Sequence, residues 1–124
     1  MMAQAQNHAA SVQELVERFL SVSLAQYDAL YVVDTRKYNR LFTRMVDIRN
    51  ELKRREADQR RALLPLLDHP NIQVRLKAAI TLLAVAPDLA RKALERVRDS
   101  GILPQSADAE DMLEAVDNGS YVPS

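Results

Sequence analysis

Cysteine and tryptophan are absent from this 124-residue chain, and glycine occurs only twice. Without cysteine there is no disulfide, no thiolate nucleophile and no Cys-based metal site. Two glycines cannot furnish a Gly-rich phosphate loop, and both stand at predicted helix ends. Aromatic residues are 5 % of the chain. With so few turn and strand residues, a sandwich or barrel is excluded. No apolar run approaches the roughly 18 residues of a membrane span. The first ten residues have neither a charged nor an apolar signal-peptide region, so a cytoplasmic protein is expected. Charge of one sign is also lacking: 17 Lys and Arg balance 17 Asp and Glu. Bulk attraction to nucleic acid or to a membrane is therefore not indicated.

What is present is helical. Hydrophobic residues make up 48 % of the chain, with Ala and Leu contributing 17 each. Residues 1–10 read as a flexible polar arm. Ser11 and Glu14 form a capping-box signature. Val12, Val16, Phe19, Leu20, Leu24, Tyr27 and Tyr31 come next at helical spacing, which predicts a first helix over about 12–32. Asp34 and Thr35 can cap the second. There Tyr38, Leu41, Met45, Ile48 and Leu52 alternate by three and four, the seam of an antiparallel hairpin, widened by Phe42. Phe19, Tyr27, Tyr31, Tyr38 and Phe42 are assigned to that seam. Glu51 and Arg55 are a supportive i,i+4 pair, and Asp58 can cap the third helix.

Pro65 inside Ala62–Leu67 limits that segment to a short, bent helix. Asp68-His69-Pro70-Asn71 reads as a turn, with Asn71 as the next N-cap. The helix from Ile72 to Ala86 becomes apolar nearly all round, which predicts a buried centre with Ala79 and Leu82 deep in it. Pro87 starts a fifth helix and Gly101 ends it. A sixth spans about 107–117, with Ala109, Met112, Leu113 and Val116 as its stripe. The expected fold is all-α: a single domain over 11–119 of about six helices, with a short tail over 120–124.

The charge balance is uneven along this layout. Residues 36–61 carry ten basic and four acidic residues, whereas 99–124 carry six acidic and no basic ones. Arg36, Arg40 and Arg44 form a row on one helical stripe, a solvated face that with nearby Lys37 can also track phosphates.

The run Leu63-Leu64-Pro65-Leu66-Leu67-Asp68, then Pro70, Val74-Arg75, Ala78-Ala79 and Leu82, resembles a HEAT repeat over residues 61–86. The resemblance implies that the N-terminal hairpin is followed by an α-α superhelix stack. Asp68, Pro70, Asn71, Ala79 and Leu82 would then be structural. Lys37-Tyr38-Asn39-Arg40-Leu41-Phe42, then Leu63 to Arg75, then Ala86-Pro87 and the closing helix resemble a family of short bacterial proteins known only as a domain of unknown function. That resemblance implies an all-helical fold and brings no activity.

Catalytic signals are weak. His8 and His69 have no second ligand at metal spacing, so no metal or cofactor is expected. Asp108 and Asp111 form a candidate acid pair, but acids in a first helical turn serve the helix dipole. Asp68 and Arg75 are expected to form a structural ion pair. The resulting expectation is a non-enzymatic module that binds a protein partner or a second copy as a homodimer. Arg36, Arg40, Arg44 and Arg75 are its candidate contacts. The alternative is a nucleic-acid accessory protein using the basic row, with an enzyme third.

Overall fold

The computed structural model describes residues 2–124, with side-chain surroundings from Gln6 onward. The chain is all-α. The described residues form six α-helices and one 3₁₀ helix, with no strand among them: α1 (Met2–Ala9), α2 (Val12–Tyr31), α3 (Thr35–Arg54), a 3₁₀ segment (Gln59–Asp68), α4 (Ile72–Leu82), α5 (Pro87–Asp99) and α6 (Gln105–Asp117). They divide into two compact units, one ending at Ala62 and one beginning at Leu63.

In the first unit, α2 and α3 make the antiparallel hairpin. The Ser11 hydroxyl accepts from the Glu14 amide, and the Glu14 carboxylate accepts from the Ser11 amide, both at 3.1 Å. The Asp34 carboxylate accepts from the Lys37 amide and starts α3. Leu41, Met45, Ile48 and Leu52 are buried along α3, as their spacing predicts. Residues 1–10 read as an arm in the sequence, yet Met2–Ala9 form α1, which packs on α3; Met1 lies outside the described residues. The cause is Arg55, whose Nη2 donates to the carbonyls of Asn7 and Ala10 at 3.0 and 2.7 Å. A cation on the unpaired carbonyls at a helix end stabilises that end.

The second unit begins within the 3₁₀ segment. Pro65 has no N–H, and its ring obstructs an α-helical turn before it. The segment winds more tightly for ten residues, longer than such helices usually run. Asn71 caps α4, its side-chain oxygen accepting from the amides of Gln73 and Val74. Helix α4 ends at Leu82, four residues short of the expected end, because Leu83–Val85 turn before Pro87 opens α5. Ala78, Ala79 and Leu82 are fully buried. Gln105 Nε2 donates to Gln73 Oε1 at 3.0 Å, joining α6 to α4 in the interior. Arg91 and Asp117 form a two-pronged surface ion pair between α5 and α6 at 2.8 and 2.9 Å. Tyr121 N donates to Ala115 O and holds the start of the tail.

Candidate interaction surface

The α2 seam departs from its sequence reading. Its buried residues are Leu15, Phe19, Val22, Ser23, Gln26 and Ala29. Of the aromatic residues assigned to the seam, Phe19 alone is buried. Tyr38 is half-buried, Tyr27 and Phe42 are 39 % and 46 % exposed, and Tyr31 is 84 % exposed. Two polar residues take interior places because their groups find partners there. Ser23 Oγ donates to Phe19 O at 2.9 Å, and Gln26 Nε2 contacts Met45 Sδ at 3.8 Å. Small Ser23 and Ala29 leave no bulk between the helices, so the bulky residues stand outside.

These displaced residues share a side. Gln6, Asn7, Arg18, Val22, Arg44 and Ile48 line a cavity of about 370 Å³, which marks the flank of the hairpin under α1. At about 100° per residue, Leu20, Leu24 and Tyr27 project from the side of α2 away from Arg18 and Val22. By the same geometry Phe42 and Val46 project from the side of α3 away from Arg44 and Ile48. Leu20 and Tyr27 of α2 and Phe42 and Val46 of α3 thus stand on the flank opposite α1, whereas Leu24 points away from α3, and that flank leads to the turn.

The turn itself is strained. Asp34 N donates to Ala29 O at 2.8 Å and Val33 N to Leu30 O at 3.2 Å. This closure requires a left-handed residue, a place usually taken by glycine. Here it is Val33, at φ +56° and 81 % exposed. A β-branched residue in that region is a steric outlier. A shallow pocket of about 120 Å³ lies beside it, lined by Ala29, Leu30, Val33, Asp34, Thr35 and Tyr38.

Arg36, Arg40 and Arg44 are all exposed, and none forms an ion pair among the described residues. The row starts on the outer surface of α3 and reaches the α1 side at Arg44. Two turns beyond Arg44 on α3 lies Glu51, only 2 % exposed. Arg55 Nε donates to Glu51 Oε2 at 2.7 Å, Arg54 Nη2 to Oε1 at 3.0 Å, and His8 Nδ1 lies 3.3 Å from Oε1. The Arg55 hydrogen bond is the main reason that the Glu51 carboxyl is held down at about 2. Burial opposes it, while Arg54 and His8 reinforce it.

Elsewhere the candidate residues are dispersed. Asp68 and Arg75 do not form the expected ion pair. Asp68 is exposed and lines a cavity of about 380 Å³ with Leu64, Pro65, Leu67, Leu89, Lys92 and Arg96. The 3₁₀ winding ends with Asp68 on the same cavity as Leu89, Lys92 and Arg96 of α5. Arg75 Nε is buried without a hydrogen-bond partner. Pro70 is exposed, and His69 Nδ1 accepts from the Asn71 amide at 3.0 Å, a local turn bond. Asp108 lies in the first turn of α6, whereas Asp111 lies beyond it because the helix begins at Gln105. Burial raises the Asp108 carboxyl, with Lys77 opposing and Asp111 adding to the rise. Among the described residues no group of three or more His, Cys, Asp or Glu is placed to hold a metal ion, and no helix is long and apolar enough to cross a membrane.

A family profile described as Domain of unknown function (DUF2019) matches residues 13–117. The chain belongs to this family. A solved structure similar to this DUF2019 chain is that of the protein RPA1889 from Rhodopseudomonas palustris CGA009. It is 45 % identical, with a TM-score of 0.92, covering 94 % of this chain and 97 % of that one. No curated protein matches the DUF2019 chain. The match covers the seam of α2 and the whole of α3, so the open flank of the hairpin lies within the family domain.

Proposed function

We propose that this DUF2019 chain is a small, non-enzymatic, cytoplasmic module that binds a protein through the open flank of α2 and α3. One observation carries the reading. Leu24, Tyr27, Tyr31, Val32, Val33 and Phe42, six of the ten exposed large hydrophobic residues among the described residues, belong to one end of the hairpin. Gathered apolar exposure of this kind marks contact surfaces, whereas single exposed leucines do not. The backbone strain at Val33 adds to it, because strain persists where function holds it. Arg36, beside the turn, and the Arg40–Arg44 continuation of its row supply charge at the margin. Arg75, with its unpaired buried Nε, is a further contact candidate in the second unit. The HEAT-like reading of residues 61–86 belongs to the same proposal. It is supported by the Pro65-bearing short helix, the Asp68–Asn71 turn and the buried small residues of α4.

The experiment is affinity capture from the source cell with the wild-type chain and with Tyr27→Asp/Phe42→Asp, whose solvent-facing sites spare the core. A partner retained by the wild type and lost with the variant is the expected result. Identical capture by both, with no change in self-association, overturns the reading.

The second reading is nucleic-acid binding, favoured by the three exposed guanidinium groups of Arg36, Arg40 and Arg44. It requires retention on DNA or RNA that falls steeply with salt and is lost in Arg40→Glu/Arg44→Glu.

A further inference from the structure

We infer that the cavity lined by α1, α2 and α3 binds a small organic anion, an oxyacid group carried on a short apolar body. The inference is independent of the reading of the opposite flank.

The first argument is unanswered positive charge. The cavity, of about 370 Å³, has two guanidinium groups in its lining, Arg18 of α2 and Arg44 of α3. Arg18 Nη1 donates to Asn7 Oδ1 at 3.0 Å, and no other hydrogen bond or ion pair engages either group among the described residues. A guanidinium offers five N–H donors. Four on Arg18 and five on Arg44 are thus left without a protein acceptor among the described residues. The carboxylates nearest Arg18 in sequence are engaged elsewhere. Glu14 accepts from the Ser11 amide at 3.1 Å, and Glu17 accepts from Gln13 Nε2 at 3.4 Å.

The second argument is preorganisation. Asn7 is only 6 % exposed. Arg55 Nη2 holds the Asn7 backbone carbonyl at 3.0 Å, while the Asn7 side-chain oxygen holds Arg18. Arg18 is itself half-buried, so one cation is set in place before a ligand arrives. A preset donor spares binding the cost of ordering a long side chain. Arg44 is exposed and supplies the second charge from α3.

The rest of the lining decides the other half of the ligand. Val22 and Ile48 are buried apolar residues, and Gln6 adds an amide. Apolar surface with a few placed polar groups, in a volume of this size, is the make-up of small-molecule sites. Guanidinium groups pair with carboxylate and phosphate oxygens alike. A bare inorganic anion gains nothing from Val22 and Ile48. A neutral apolar molecule leaves both guanidinium groups unpaired. An anion with a short apolar body uses the whole lining.

Amide chemical shifts of the full chain provide the test. Hexanoate and hexyl phosphate are the probes, with acetate as the anion alone and hexanol as the chain alone. Each is titrated to about 10 mM, well above the roughly 1 mM dissociation constant expected of so small a ligand. Saturable shifts are expected around Asn7, Arg18, Val22, Arg44 and Ile48 with at least one of the two acids. Tighter hexanoate assigns a carboxylate, and tighter hexyl phosphate assigns a phosphate monoester. Acetate and hexanol are each expected to bind at least about tenfold more weakly. Arg18→Gln and Arg44→Gln are each expected to weaken binding about tenfold, as the loss of a charged hydrogen bond does. Arg44 has no intramolecular partner among the described residues, so its variant tests the site without loosening α1. Helical ellipticity checks that both variants are folded. The inference is overturned by the absence of saturable shifts from both acids, or by hexanol binding as tightly as they do. Unchanged binding in Arg44→Gln, or shifts centred on another part of the chain, overturns it equally.

Discussion

Arg55 binds Glu51 through its Nε at 2.7 Å while its Nη2 holds the carbonyl of Ala10 at 2.7 Å. One guanidinium therefore pairs a buried carboxylate on α3 and closes the end of α1. Arg55→Ala removes both contacts and leaves Glu51 short of its main partner. The expected cost is roughly 1.5–3 kcal/mol, the range for hydrogen bonds to charged groups. Urea denaturation measures it, and amide exchange is expected to speed up most in α1.

Glu51 also sets a pH dependence. Its folded pKa, about 2, lies below the ordinary carboxyl value of 4.5. The unfolded chain therefore binds the proton more readily. The stabilisation is fully present above pH 4.5 and is lost as pH falls toward 2. The difference in urea midpoint between wild type and Glu51→Gln is expected to be constant from pH 6 to 8 and to shrink progressively below about 4.5. A difference that grows on acidification contradicts the pairing.

Val33→Gly is expected to stabilise the protein. Glycine adopts φ +56° without the clash of a β-branched side chain, a relief of about 1 kcal/mol after the entropic cost of glycine. Melting temperature is the measurement. If Val33 is retained for contact, the same variant melts higher and binds less well.

The interior of the second unit gives a polar test. Gln73 and Gln105 are buried and bonded to each other at 3.0 Å. Gln73→Leu strands the Gln105 amide and is expected to cost about 1–3 kcal/mol. Gln73→Leu/Gln105→Leu is expected to recover part of that loss, because neither amide is then left facing an apolar side chain. A double-mutant cycle in urea reads the coupling.

Leu82→Ala removes a fully buried side chain from α4. The expected loss is about 2–5 kcal/mol, a large share of the roughly 5–15 kcal/mol that holds a domain together. Thermal melting shows it directly.

Legibility tracked chemistry that acts locally. The Ser11–Glu14 box, the Asp34 and Asn71 caps and Pro87 at the start of α5 each depend on a few adjacent residues, and each was readable. The α3 seam was readable because its spacing coincides with bulky apolar residues. The α2 seam was not, because hydrophobicity ranks Leu24 and Tyr27 above Gln26 and Ala29. The signal present was spacing: Leu15, Phe19, Val22, Gln26 and Ala29 alternate by four and three, as the α3 seam does by three and four. Helix α1 depends on Arg55, more than forty positions away, and no local pattern announces it. The same limit applies to the open flank. It consists of residues that sequence reasoning places inside, and only the packing reveals them outside.

The tight winding around Pro65 has a geometric consequence. Three residues per turn bring positions 60, 63 and 66 into one straight line, and Arg60, Leu63 and Leu66 are all buried. At 3.6 residues per turn the same line would drift by about 60° at each step, and ten residues would extend about 15 Å in place of about 20 Å. Replacing this single proline with a good helix former changes both the pitch and the phase of the segment. Leu66 would rotate off the line of Leu63, although no apolar side chain of that line had been altered.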